Sequence, residues 1–192
     1  MTRIIAGAFG GLRLATPKGE STRPTSDRVR ESLFSSLQHA GLIDDARVLD
    51  LFAGSGALGL ESLSRGARKV VLVDRWQPAV AAAKTNVTAI VKAVPGCQGS
   101  AEVVKSPVDG FLDKSVATPF DLIFADPPYP LAEAELAALL AAVTDNGWLE
   151  PGGVIVVERS SRSPEPVWPE ELARYRRAKH GETMLWFAER PI

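Results

Sequence analysis

Asp50-Leu51-Phe52-Ala53-Gly54-Ser55-Gly56-Ala57-Leu58-Gly59 decides how this chain folds. Arg47-Val48-Leu49 leads into it, and residues 47–52 read as one strand, while Ala57 to Arg65 carries a helical pattern. Gly54, Gly56 and Gly59 therefore fit G-x-G-x-x-G at a strand-to-helix turn, where glycine lets the backbone approach a cofactor closely. Asp74 follows Gly54 by 20 residues and closes a second strand from Lys69, the place expected for a ribose-binding carboxylate. Read mechanically, these features predict a nicotinamide dinucleotide. Asp50 opposes that reading, because a carboxylate beside the loop would repel a pyrophosphate. S-adenosylmethionine has no phosphate; it carries a sulfonium and an α-ammonium, both attracted to a carboxylate. Asp50, Phe52, Gly54, Gly56 and Asp74 are thus candidate cofactor contacts, with Trp76 a candidate face for adenine.

Strands and helices alternate outward from this turn, the pattern of a parallel α/β sheet. Val70-Val71-Leu72-Val73 is apolar enough to be covered on both faces. A helix runs from Pro78 to about Val91, and a weak third strand covers Ala101 to Lys105. A fourth strand after Pro119 ends at Asp126, and an Ala/Leu helix spans Ala132 to Val143. Gly152-Gly153 introduces a fifth strand from Val154 to Glu158, and two more strands, around 174–179 and 183–188, meet tightly at His180-Gly181-Glu182. Upstream, Arg3–Ala6 and Leu12–Ala15 flank a glycine-rich turn and predict a β-hairpin. A helix capped by Thr25 or Ser26 follows, with Val29, Leu33, Phe34 and Leu37 on one face, ending near Ala40-Gly41. The expectation is a Rossmann-like, mostly parallel, seven-stranded sheet with an antiparallel C-terminal hairpin, divided into an N-terminal hairpin and basic loop (1–24) and a main domain (25–192).

Asp126-Pro127-Pro128-Tyr129 sits at the carboxyl end of the fourth strand, where open α/β sheets bind ligands. The prolines fix φ and remove two N–H donors, leaving carbonyl acceptors in a stiff frame. Asp126 and the Pro127 carbonyl accept hydrogen bonds, and Tyr129 supplies a flat face. Those parts suit gripping a planar ring that carries an exocyclic amine.

Composition narrows the partners. The 192 residues carry a net charge of −1, which argues against a general nucleic-acid coat protein. Basic residues gather instead near the two ends: Arg3, Arg13, Lys18, Arg23, Arg28 and Arg30 in the first thirty residues, and six more between 159 and 180. Such a distribution fits a local polyanion footprint. Cys97 stands alone, so neither a disulfide framework nor a thiolate metal cluster is expected. No apolar run approaches a membrane span, and Met1-Thr2-Arg3-Ile4-Ile5 lacks a signal-peptide core. A cytoplasmic address is the default.

Joined to the glycine turn, the Asp126–Tyr129 motif makes the chain resemble class I S-adenosylmethionine-dependent methyltransferases that act on amines. More narrowly, it is similar to bacterial 16S rRNA guanine-N2 methyltransferases of the RsmD type. That match rests on Arg3-Ile4-Ile5-Ala6-Gly7, Gly11-Leu12-Arg13-Leu14, Thr22 through Glu31, Asp50 through Gly59, and the 126–129 motif. The resemblance implies methyl transfer from S-adenosylmethionine to N2 of a guanine, with Asp126, Pro127, Pro128 and Tyr129 as the catalytic set and no metal. It implies that the N-terminal segment helps to recognise RNA, with Arg3, Arg13, Arg23, Arg28 and Arg30 on phosphates. The partner would be 16S rRNA within the small ribosomal subunit or an assembly intermediate, and nothing demands more than a monomer. In one place the chain departs from the pattern: Pro107 occupies the position where many such enzymes bind the adenine amine, so Ser106 or the Val108 N–H is expected to take over.

Three rivals remain. A DNA adenine-N6 methyltransferase shares the 126–129 motif but normally adds residues that read DNA sequence. A nicotinamide oxidoreductase would need a catalytic His/Arg or Tyr/Lys pattern that does not accompany the glycine turn. A non-enzymatic RNA-binding or assembly module would explain the basic ends and leave Asp50, Asp74 and Asp126 without purpose.

Overall fold

The computed structural model describes residues 2–17, 26–94, 99–128 and 130–192. Lys18, Arg23, Thr25, Cys97 and Tyr129, singled out above, lie outside the described residues. Seven strands form one sheet: β1 (Arg47–Asp50), β2 (Lys69–Asp74), β3 (Ser100–Lys105), β4 (Phe120–Ala125), β5 (Leu149–Ser160), β6 (Ala173–His180) and β7 (Thr183–Glu189), in the order β3-β2-β1-β4-β5-β7-β6. The first five are parallel, whereas β7 runs antiparallel to both β5 and β6. Strand order reverses between β1 and β4, which opens a crevice at their carboxyl ends.

Alternation along the strands builds a core on each face. Val48, Val70, Leu72, Leu122 and Phe124 point to one side, under α1 (Asp27–His39), α2 (Ala57–Ser64) and α3 (Gln77–Ala93). Leu49, Val71, Val73, Ile123 and Ile155 point to the other, under α4 (Val108–Leu112) and α5 (Glu133–Asp145). Each such aliphatic or aromatic side chain contributes roughly 1.5–3 kcal/mol on burial. Continuous Val/Leu runs in the sequence are thus two interleaved stripes.

Local chemistry sets the ends of α1. Ser26 Oγ accepts the Val29 N–H at 3.3 Å, satisfying one donor of the first turn. At the far end, Leu42 N–H reaches the Leu37 carbonyl and Gly41 N–H the Gln38 carbonyl, with Gly41 at φ +71°. That pair of bonds is a Schellman motif, which needs a left-handed residue at Gly41.

The N-terminal hairpin is present, with Arg3 bridged antiparallel to Arg13 and Ile4 N–H on the Leu12 carbonyl, Gly11 N–H on the Ile4 carbonyl and Leu14 N–H on the Thr2 carbonyl, each at 2.9 Å; it also bonds to helices. Ile5 and Ala6 N–H donate to the Glu61 carboxylate at 2.7 and 3.1 Å, and Ala15 N–H donates to Asn86 Oδ1 at 2.7 Å. Ile4, Phe9 and Leu14 are buried in the core that covers α2. Gly7 approaches Ser64 so closely that a Cβ would meet its carbonyl oxygen at 1.9 Å.

Two boundaries and one whole element depart most from the sequence expectation. β1 stops at Asp50, and Leu51-Phe52 already belong to the turn. β5 starts at Leu149, five residues before Val154: the register against β4 shifts there, and Gly152 at φ +81° absorbs the irregularity. The short helix α4 was not foreseen, because five residues are too few to display a period.

Candidate active site

Asp50 ends β1 with its side chain turned under the first turn of α2, where Oδ2 accepts the Gly59 N–H at 3.0 Å. A Cβ on Gly59 would lie 2.3 Å from Leu72 Cδ2, so only glycine lets helix and strand come this close. Asp50 is 1% exposed. Burial pushes its carboxyl up to about 7, with the Asp74 charge adding to the rise and the Gly59 N–H opposing it. Its Oδ1 is buried without a hydrogen-bond partner of good geometry, although the nearby Phe52 N–H also favours the charged form. An orphaned carboxylate oxygen at the rim of a cavity is a place built for a donor that comes from outside, and an ammonium fits it.

Asp74, at the end of β2, stitches the glycine turn to its own strand. Oδ2 accepts the Gly54 N–H at 2.9 Å and Oδ1 the Trp76 N–H at 2.8 Å. Each oxygen retains a lone pair, and the side chain lines the cleft beside Trp76. Gly54, at φ +55°, keeps the backbone open to the same space. Gly56 does not line the cleft: at φ +84° it begins α2, and a Cβ there would meet Leu72 Cδ1 at 2.8 Å. Its absent side chain serves packing.

On the far side of β2, Ser106 turns away from the cleft, its hydroxyl donating to the Pro107 carbonyl at 2.9 Å. Pro107 and Val108 are the groups from this segment that line the cavity, together with Asp109 from the first turn of α4.

Asp126 leaves β4 half-buried, Pro127 is buried, and the Pro128 carbonyl accepts the Leu131 N–H at 2.9 Å. Behind this corner, Arg159 at the end of β5 donates Nη2 to the Leu131 carbonyl at 3.2 Å and pairs with Glu133. The 126–128 corner and the glycine turn open onto one cleft of about 870 Å³, which spans the β1/β4 reversal and is walled by Phe52, Trp76 and Val108. That volume lies in the range of cofactor and ligand sites.

The arginines proposed for RNA separate into two kinds. Arg3, Arg13 and Arg28 are exposed, Arg3 Nε lying 3.2 Å from Asp27 Oδ2. Arg30 is 1% exposed and lines the cleft, its Nη2 bonded to the Arg3 carbonyl at 2.7 Å and to Asp27 Oδ1 at 2.9 Å. The hydrogen bond from Arg30 holds the Asp27 carboxyl below its usual range. Sequence reasoning missed the burial of Arg30 and of Arg159. Arg30 lies on the Val29–Phe34 face of α1, and Arg159 lies within β5, one residue past the stretch expected as strand.

Comparison with known proteins agrees with this architecture. The model of the family described as conserved hypothetical protein 95 matches residues 2–189. Ribosomal RNA small subunit methyltransferase D of Escherichia coli K12 is 39% identical over 180 residues, 94% of this chain and 85% of that one. The Haemophilus influenzae protein of the same name is 37% identical over 163 residues, 84% of this chain and 80% of that one. Among solved structures, the Escherichia coli protein yhhF superposes with a TM-score of 0.83 at 38% identity, covering 98% of this chain and 97% of that one. A Thermus thermophilus 16S rRNA N2 methyltransferase solved with AdoMet and guanosine shares the fold at a TM-score of 0.60 and 24% identity, over 93% of this chain and 50% of that one. With a match that runs nearly from end to end, the chain belongs to the conserved hypothetical protein 95 family, the small-subunit rRNA methyltransferase D type.

Proposed function

We propose that the protein transfers a methyl group from S-adenosyl-L-methionine to the exocyclic N2 of a guanine in 16S rRNA. One observation carries this reading. The glycine turn with its two carboxylates and the Asp126-Pro127-Pro128 corner face a single cleft at the β1/β4 reversal. The relatives named as rRNA methyltransferases support the substrate class.

When bound, the donor supplies an electrophilic methyl on a sulfonium. Asp50 would draw the α-ammonium through Oδ1, and Asp74 would offer its remaining lone pairs to the ribose hydroxyls. Trp76 would offer a face to the adenine, and the Val108 backbone would take the ring edge that Ser106, bonded to the Pro107 carbonyl, does not reach.

A guanine amine is a poor nucleophile because its lone pair is delocalised into the ring. Asp126 and the Pro127 carbonyl accept its two N–H bonds, which favours a pyramidal nitrogen with its lone pair aimed at the methyl. Positioning and electrostatic complementarity to the developing cation then carry the rate. Tyr129, outside the described residues, completes the set as a stacking face for a base drawn out of its helix.

Arg3, Arg13, Arg23 and Arg28 hold RNA phosphates, which position without specifying sequence. Residues 1–24 thus form the RNA-contacting extension of a methyltransferase domain over 25–192. The substrate is the small subunit or an assembly intermediate, met in the cytoplasm by a monomer. No described helix is long and apolar enough to cross a membrane.

The test is labelled-methyl transfer into small ribosomal subunits from a strain lacking the gene, with mass spectrometry of the 16S rRNA. One methyl gained on guanine N2 is expected. Methyl incorporation into duplex DNA and not into the subunit would refute the assignment.

A further inference from the structure

Arg30 brings a permanent positive charge into the cleft wall and leaves part of it unanswered. Its side chain is 2% exposed. Nη2 is bonded to the Arg3 carbonyl and to Asp27, but Nε and Nη1 are buried with no acceptor. A guanidinium cannot shed its proton, so these donors stay charged and unsatisfied. A buried cation of this kind marks a place for an oxyanion.

Its position says which one. One turn further along α1, Phe34 packs against Phe124 of β4 with ring centroids 5.7 Å apart. Phe124 is the register partner of Asp50 on β1. Arg30 therefore belongs to the helix that packs over the point where β1 and β4 part, and it lines the same cleft as Asp50 and the 126–128 corner. Other cleft arginines are placed differently: Arg159 stands behind the 126–128 corner with Nη2 on Glu133 and the Leu131 carbonyl and Nε alone buried without an acceptor, and Arg75 is exposed beyond the end of β2.

We infer that Arg30 binds the α-carboxylate of the methyl donor's amino-acid tail. The inference rests on the S-adenosylmethionine reading of the site. An amino-acid tail is a zwitterion: Asp50 answers its ammonium, and Arg30 answers the opposite charge through Nε and Nη1. Asp27 is a positioning residue, because its carboxylate holds the Arg30 guanidinium in this orientation from the solvent side. A phosphodiester oxygen of RNA offers the same chemistry to an arginine. The geometry favours the carboxylate, since a small molecule reaches a guanidinium sunk in a cleft wall more readily than a polymer backbone does.

Calorimetry on the full-length protein tests this with two ligands, S-adenosylmethionine and its decarboxylated analogue, at pH 7.5. Wild type is expected to bind the analogue about 10- to 100-fold more weakly, the value of a charge-assisted hydrogen-bonded pair. Arg30→Met should weaken S-adenosylmethionine by that factor and leave the analogue unchanged, so that the two affinities converge. Arg30→Lys, which keeps the charge, should retain part of the discrimination. Should Arg30→Met fail to fold, the wild-type ligand pair still decides: equal affinities overturn the proposal. In a parallel arm, affinity for a 16S rRNA fragment without cofactor is expected to be unaffected by Arg30→Met. Lost RNA affinity with intact discrimination between the two ligands would hand Arg30 to a phosphate and overturn the carboxylate assignment. If wild type binds neither ligand, the cofactor reading itself fails first.

Discussion

Acidification should loosen the cofactor through a single side chain. Asp50 has its carboxyl raised to about 7 by burial, and the proposed ammonium contact needs the ionised form. The cofactor's ammonium stays protonated throughout the acid range. Binding therefore selects ionised Asp50, and the work of removing its proton is charged against affinity as the pH falls below 7. With that value, about half of Asp50 is ionised at pH 7 and about one part in a hundred at pH 5. The dissociation constant should rise about fiftyfold between those points, close to tenfold per unit at the acid end. Asp50→Asn keeps an oxygen for the Gly59 N–H and removes the titration. Its affinity should be low and nearly flat from pH 7 to pH 5. Isothermal titration across that range, with circular dichroism to establish that the fold persists, makes the measurement. A flat wild-type profile, or an Asp50→Asn profile that keeps the wild-type slope, would refute the ammonium contact.

The same raised value has a consequence for stability in the absence of cofactor. The folded state holds the proton that the unfolded chain releases near 4, so stability declines as pH rises from about 4 to 7, and Asp50→Asn should melt at a higher temperature than wild type at pH 8; an unchanged or lower melting point would count against the burial argument. Asp126→Ala should abolish methyl transfer while leaving cofactor affinity within a few-fold of wild type, since Asp50 and Asp74 stay in place; retained turnover in a single-turnover assay would remove Asp126 from the chemistry. Asp74→Ala should weaken cofactor binding by titration calorimetry, and unchanged affinity would refute the ribose contact. Glu61→Ala should cost about 3–5 kcal/mol by denaturant unfolding, because it strands the Ile5 and Ala6 N–H groups and the Arg65 guanidinium that the carboxylate now accepts; a loss under 1 kcal/mol would mean that water replaces those bonds.

Much of the fold could be read from the chain because its strands are buried on both faces and its turns carry glycine. Lys69–Asp74 emerged with the expected bounds, and Ser26 caps α1 as one of its two candidates. Less legible were features that depend on contacts distant in sequence. β5 begins at Leu149 because β4 offers Phe120 as a partner across an irregular register, which no local pattern announces. Arg30 looks in the sequence like any exposed basic residue of a first helical turn. Its burial follows from the Arg3 carbonyl, 27 residues away, and from the closeness of the hairpin. Gly56 was legible as a turn glycine, but its service to Leu72 rather than to a ligand required the packing.

The bond from Arg30 to the Arg3 carbonyl also ties the hairpin proposed to meet RNA to the wall of the cleft. A guanidinium shared in this way is the one place where the two could be linked, and any such link is bound by a symmetry. By thermodynamic reciprocity, whatever factor the filled nucleoside cavity adds to the grip on ribosomal RNA must be returned in full by RNA to the nucleoside.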